Sequence, residues 1–147
     1  MAVFESEIEL KTPAETVFEF FLRPANVLKI SPPELGLAFI SAPDVMGVGS
    51  RLKFKVQAHG QVQSMEHEIV RIDSPLLILE KQVQGLFKKW EHRHEFERTG
   101  SGVVVRDVID FDKPGGIIGL LLTESKILDQ LEDGFAHRHD MLRKLFG

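Results

Sequence analysis

The sequence predicts an α+β fold, a strongly curved antiparallel sheet of about seven strands wrapped around one long C-terminal helix. Three observations carry this. Residues 37–111 alternate apolar and polar with a period of two, broken only at turn residues. The residues after 116 change to helical spacing. Two short helices, joined at a proline, separate the first strand from the others. The 147 residues suit a single domain, 1–147, able to bury a core without a disulfide or structural metal.

In chain order, Val3 to Leu10 form a half-buried strand, with Phe4, Ser6, Ile8 and Leu10 opposed to Glu5, Glu7 and Glu9. The first helix has a full start signal: Thr12 as N-cap, Pro13 at the first helical position and Glu15 completing a capping box. Ala14, Val17, Phe18, Phe21 and Leu22 supply its apolar stripe. Arg23-Pro24 ends it, and Pro24 opens a second short helix through Ile30, stopped by Ser31-Pro32-Pro33. Strands follow at Leu37–Ser41, Arg51–Ala58, Val62–Ile72, Leu77–Val83, Lys88–Glu97 and Val103–Phe111. Turns are expected at Asp44–Gly49, His59-Gly60, Asp73-Ser74-Pro75, Gly85 and Thr99-Gly100-Ser101-Gly102. Ile127, Leu128, Leu131, Phe135, Leu142 and Leu145 then recur at helical spacing, with Gly134 as a bend or close approach.

This order resembles the START/Bet v 1-like (SRPBCC) superfamily, and among its members the small bacterial polyketide cyclase/dehydrase-like proteins. The resemblance rests on Thr12 to Phe18, the Arg23-Pro24-Ala25-Asn26 corner, Gln82 to Phe87, Trp90, His92, His94 and Phe96. It also takes in Asp107 and Phe111 before Pro114, and Phe135 followed by His139. It implies a helix-grip fold with an apolar cavity between sheet and helix. The superfamily holds lipid and hormone binders, aromatase/cyclases and chaperone co-factors, so it implies no one reaction.

Chemistry concentrates on two neighbouring strands. Even positions place Trp90, His92, His94 and Phe96 on one face, while Lys89, Glu91, Arg93, Glu95 and Glu97 face water. On the next strand Val103, Val105, Ile109 and Phe111 mark the inner face, which makes Asp107 an inward carboxylate in need of a partner. A hairpin centred between Gly100 and Ser101 sets His94 opposite Asp107 and Phe96 opposite Val105. The expected ligand-binding set is therefore Trp90, His92, His94, Phe96, Asp107, Ile109, Phe111 and His139. His94 and Asp107 are the candidates for any acid–base catalysis. His92 and His94 could equally be structural, as satisfied inner-face residues.

Composition excludes several classes. There is no Cys, so disulfide frameworks, thiol nucleophiles and iron–sulfur clusters are out. His92 and His94 have a spacing compatible with zinc, and His67 or His139 could complete a set. Without a His-Glu-x-x-His motif no metal or other cofactor is expected. The net charge of −4, with no Lys/Arg run beyond two, argues against nucleic acid. The opening MAVFESEIEL lacks a signal-peptide pattern and no apolar stretch is long enough to span a bilayer, so a cytoplasmic location is expected. Ile117 to Leu122 is apolar on all sides and is expected to be buried, an apolar rim to the cavity mouth or a dimer surface being the other readings. The function expected is binding of a small hydrophobic or aromatic molecule. A cyclase/dehydratase with His94 as general base and a protein-interaction module are the alternatives.

Overall fold

A computed structural model of the chain describes residues 1–58 and 60–147. Among them, seven strands form one antiparallel sheet: β1 (Ala2–Leu10), β2 (Ala38–Ser41), β3 (Arg51–Ala58), β4 (Gln61–Asp73), β5 (Leu77–Gln84), β6 (Lys89–Arg98) and β7 (Val103–Asp112). The helices are α1 (Ala14–Phe21), α2 (Pro24–Lys29), α3 (Gly116–Leu121) and α4 (Glu124–Phe146). A 3-10 turn at Pro33–Leu35 follows α2. The strand order β1-β7-β6-β5-β4-β3-β2 shows the first strand closing against the last. The turn expected at His59-Gly60 falls partly on His59, outside the described residues.

The β6–β7 hairpin has the register that its turn and its parity require: His94 opposes Asp107 and Phe96 opposes Val105. β7 alternates buried and half-buried residues without exception, since α4 and α1 seal one face and solvent wets the other. α4 presents Ile127, Phe135, His139 and Leu142 to the sheet at the spacing of one helical stripe. Its real cap is Thr123, whose hydroxyl accepts from the Lys126 N–H at 3.3 Å.

Two local expectations are corrected. Thr12 does not cap α1: Pro13 holds the N-cap position, and no side chain bonds there. The Thr12 hydroxyl instead donates to the Phe146 carbonyl at 2.8 Å, fastening the β1–α1 turn to the end of α4. Glu15, freed from a capping box, accepts from Arg98 Nε at 2.9 Å. Thr12→Ala should still cost about 1 kcal/mol, the net worth of one hydrogen bond. The loss of amide-exchange protection should appear in residues 143–147; loss confined to the first turn of α1 would restore the capping account.

The second correction concerns the C-terminal segment, where Leu122-Thr123 divides the single helix expected into α3 and α4. α3 is not buried. Ile117 and Leu120 are 78% and 77% exposed, and Leu121 is exposed as well. Only Gly119 and Leu122 turn inward. Gly119 packs so close to the Pro114 carbonyl oxygen that any Cβ there would collide with it. Among the described residues no helix is long and apolar enough to cross a membrane.

Candidate functional site

A cavity of about 290 Å³ lies between the concave face of the sheet and α4. β3 to β6 contribute Leu52, Phe54, Met65, His67, Ile78, Glu80, Trp90, His92 and His94, and β7 contributes Ile109. α4 supplies Ile127, Gln130, Leu131, Gly134, Phe135 and Arg138. α2 and the 3-10 turn close the far side with Val27, Pro32 and Leu35. The Pro-punctuated excursion after β1 thus forms one wall. Gly134 leaves α4 without a side chain across from that wall: a Cβ there would meet nothing nearer than Pro32 Cγ, at 3.9 Å.

Of the eight residues expected to bind a ligand, Trp90, His92, His94 and Ile109 line this cavity, whereas Phe96, Asp107, Phe111 and His139 do not. Phe96 packs edge-on against Phe18 and Phe21 of α1, with centroids 5.1 and 5.5 Å away. Phe111 lies behind Trp90 and Phe87. His139 Nε2 sits 3.5 Å from the Ser6 hydroxyl oxygen. These positions fall where α1 or α4 rests directly on the sheet. The cavity opens on the other side, over β3 to β6.

Asp107 is 1% exposed and sits beneath two stacked imidazoles, His92 and His94, whose centroids are 3.7 Å apart. Its hydrogen bond differs from the pairing expected: His92 Nε2–H donates to Oδ1 at 2.7 Å. His94 Nδ1 is 3.2 Å from the same oxygen but lacks hydrogen-bond alignment. His92 reaches diagonally from its place opposite Ile109, a distance long side chains span easily. The direct His94 partner is Glu80, to which Nε2–H donates at 3.1 Å. The other oxygen of Glu80 accepts from His67 Nδ1–H at 2.6 Å. Arg138 Nη1 stands 3.7 Å from Asp107, with its guanidinium 4.6 Å over the Phe135 ring.

Electrostatics assigns the protons. Burial alone would raise both carboxyls, but hydrogen bonds from His67 and His94 hold Glu80 well below its usual range, and the His92 hydrogen bond with the nearby His94 ring holds Asp107 down. Burial likewise opposes a charged His94, yet the two carboxylates outweigh it and raise its pKa. His92, buried beside that cation, is pushed down to about 4. Burial also lowers His139, against the pull of Asp107. Two carboxylates therefore face one imidazolium and one guanidinium, and the buried charges balance.

Glu80, His92 and His94 place three metal-ligating atoms within 4.8 Å of one another. Both Glu80 oxygens and both Nε2 atoms are already engaged in the hydrogen bonds above, so a metal would have to displace them. Glu80 and Arg138 were missed by sequence reasoning, although each carried a signal. Glu80 shares strand parity with Ile78, and Arg138 stands three after Phe135 and four before Leu142.

No protein-family model matches the sequence, and no curated protein matches it. Solved structures do match. Protein CV1439 from Chromobacterium violaceum is similar over 98% of this chain and 96% of its own, with a TM-score of 0.75 and 17% identity. Major latex-like protein 151 from Panax ginseng aligns over 95% of this chain and 96% of its own, with a TM-score of 0.67 and 20% identity. Ara h 8.0201 aligns over 96% and 97%, with a TM-score of 0.63 and 16% identity. At such identities the likeness is one of fold. A seven-stranded antiparallel sheet closed around a long C-terminal helix, matched end to end by these proteins, gives the chain the helix-grip, Bet v 1-like fold.

Proposed function

We propose that the chain binds a small, largely apolar or aromatic molecule between the sheet and α4. The observation that carries this is the cavity of about 290 Å³, walled by apolar side chains and holding a few placed polar groups. That combination is characteristic of small-molecule sites. The charge-balanced network at its sheet side gives orientation without asking the ligand for a counter-charge.

An acid–base role for His94, as in a cyclase or dehydratase, is less well supported than binding. One ring nitrogen donates to Glu80 and the other faces Asp107, so the ring is held as a cation with no free lone pair.

Trp90 is the only Trp, lines the cavity and packs 4.6 Å from Phe87. Titration with the neutral dye N-phenyl-1-naphthylamine should quench its emission saturably. A flat titration would reject the binder reading and shift attention to the exposed Ile117 and Leu120 as a surface for a protein partner or a second copy of the chain.

A further inference from the structure

His67, like His92, keeps one ring nitrogen that no hydrogen bond engages, and of the two it is the one held by Glu80. Its side chain lines the cavity and is 5% exposed, with the ring 4.8 Å from Phe54 in edge-to-face contact. Nδ1–H is committed to Glu80, while Nε2 is buried and has no partner among the described residues. A carboxylate accepts only, so the contact with Glu80 fixes which nitrogen of His67 carries the proton. With the proton on Nδ1, Nε2 is left as an acceptor on a side chain that lines the cavity. Glu80 is itself steadied by His94 through its second oxygen, so the acceptor is held in place from behind.

We propose that His67 Nε2 is the specificity element of the cavity, an acceptor for a hydroxyl group on a neutral, otherwise apolar ligand. This rests on the cavity being a binding site. A buried acceptor left unpaired costs more than a hydrogen bond gains, so a ligand that satisfies it is favoured over an isostere that does not. The charge inventory selects against an anion: Glu80 and Asp107 are already offset by His94 and Arg138, and a ligand carboxylate would add a third negative charge to a largely buried site. An ether fails for a different reason, since it presents an acceptor to an acceptor.

The test uses the intact protein and four probes of one shape: naphthalene, 2-naphthol, 2-methoxynaphthalene and 2-naphthoate, each titrated calorimetrically at pH 7. The expected order puts 2-naphthol about ten-fold tighter than naphthalene and 2-methoxynaphthalene, with 2-naphthoate weakest. In His67→Phe the ratio of 2-naphthol to 2-methoxynaphthalene affinity should fall to near one. Should that variant fail to fold, imidazole nitrogen NMR of the unaltered protein decides: 2-naphthol should move the His67 Nε2 resonance and naphthalene should not. Equal binding of the three neutral probes overturns the hydroxyl subsite and leaves the apolar cavity standing. Tightest binding of 2-naphthoate overturns it in favour of an anion held at Arg138. Binding of none of the four overturns the cavity reading, and the subsite with it.

Discussion

Replacing Asp107 by Ala should cost about 3–5 kcal/mol, the usual penalty for breaking a buried ion pair from one side. The carboxylate is 1% exposed and is the acceptor for His92. It is also one of the two anions that balance His94 and Arg138. Its loss leaves one carboxylate, Glu80, among two largely buried cations. Melting temperature should fall by roughly 10 °C or more, as expected for a domain of this size. Asp107→Asn should fall between, because the amide oxygen still accepts from His92 while the charge is gone. In that variant the His94 pKa should drop, and the stability loss should be larger at pH 6 than at pH 8. An Asp107→Ala protein within 1 kcal/mol of the parent in urea titrations would show that the network is dispensable.

Stability should peak near pH 6.5, and the two stacked histidines should shape the two limbs. His94 has a folded pKa raised above the ordinary 6.5, so its contribution is complete below 6.5 and fades as pH rises through the folded value. His92 has a folded pKa of about 4, so the unfolded chain takes up that proton first as pH falls from 6.5, and stability declines toward pH 4. The second limb is worth roughly 3 kcal/mol, from the separation of the two pKa values. His139, also lowered, adds to the acid side, and the depressed Glu80 and Asp107 extend it below the ordinary carboxylate range. His94→Gln should flatten the alkaline limb and His92→Gln the acid one, read as unfolding free energy against pH. A curve flat from pH 5 to 8 would mean that neither imidazole is charged as described.

Much of this arrangement was legible in the sequence, and the physics says which part. Strand parity and the symmetric Thr99-Gly100-Ser101-Gly102 turn fix backbone register, so Asp107 opposite His94 follows from residue order alone. Backbone register does not fix side-chain rotamers. The hydrogen bond to Asp107 therefore comes from His92 along the diagonal, and His94 turns to Glu80. Glu80 lies on β5, whose register with β6 depends on no tight turn, and its parity with Ile78 was the only sign. Thr12 failed as a cap because a tertiary partner, the Phe146 carbonyl, lies 134 residues away and leaves no trace in local pattern. α3 failed for the opposite reason. Its composition is that of a buried helix, but six residues anchored at Gly119 and Leu122 cannot turn every face inward.

The measurement closest to the central claim is the Trp90 titration with N-phenyl-1-naphthylamine, repeated on Gly134→Ala and Gly134→Leu. Position 134 lines the cavity on α4 without a side chain, across from Pro32. An Ala there meets ordinary contact distances and should gain about 1 kcal/mol of helix stability over Gly. It should leave dye binding close to that of the parent. A Leu occupies the space the ligand needs, and should abolish saturable quenching while the protein remains folded by circular dichroism. Unchanged binding in a folded Gly134→Leu protein would place the dye outside the cavity and contradict the account.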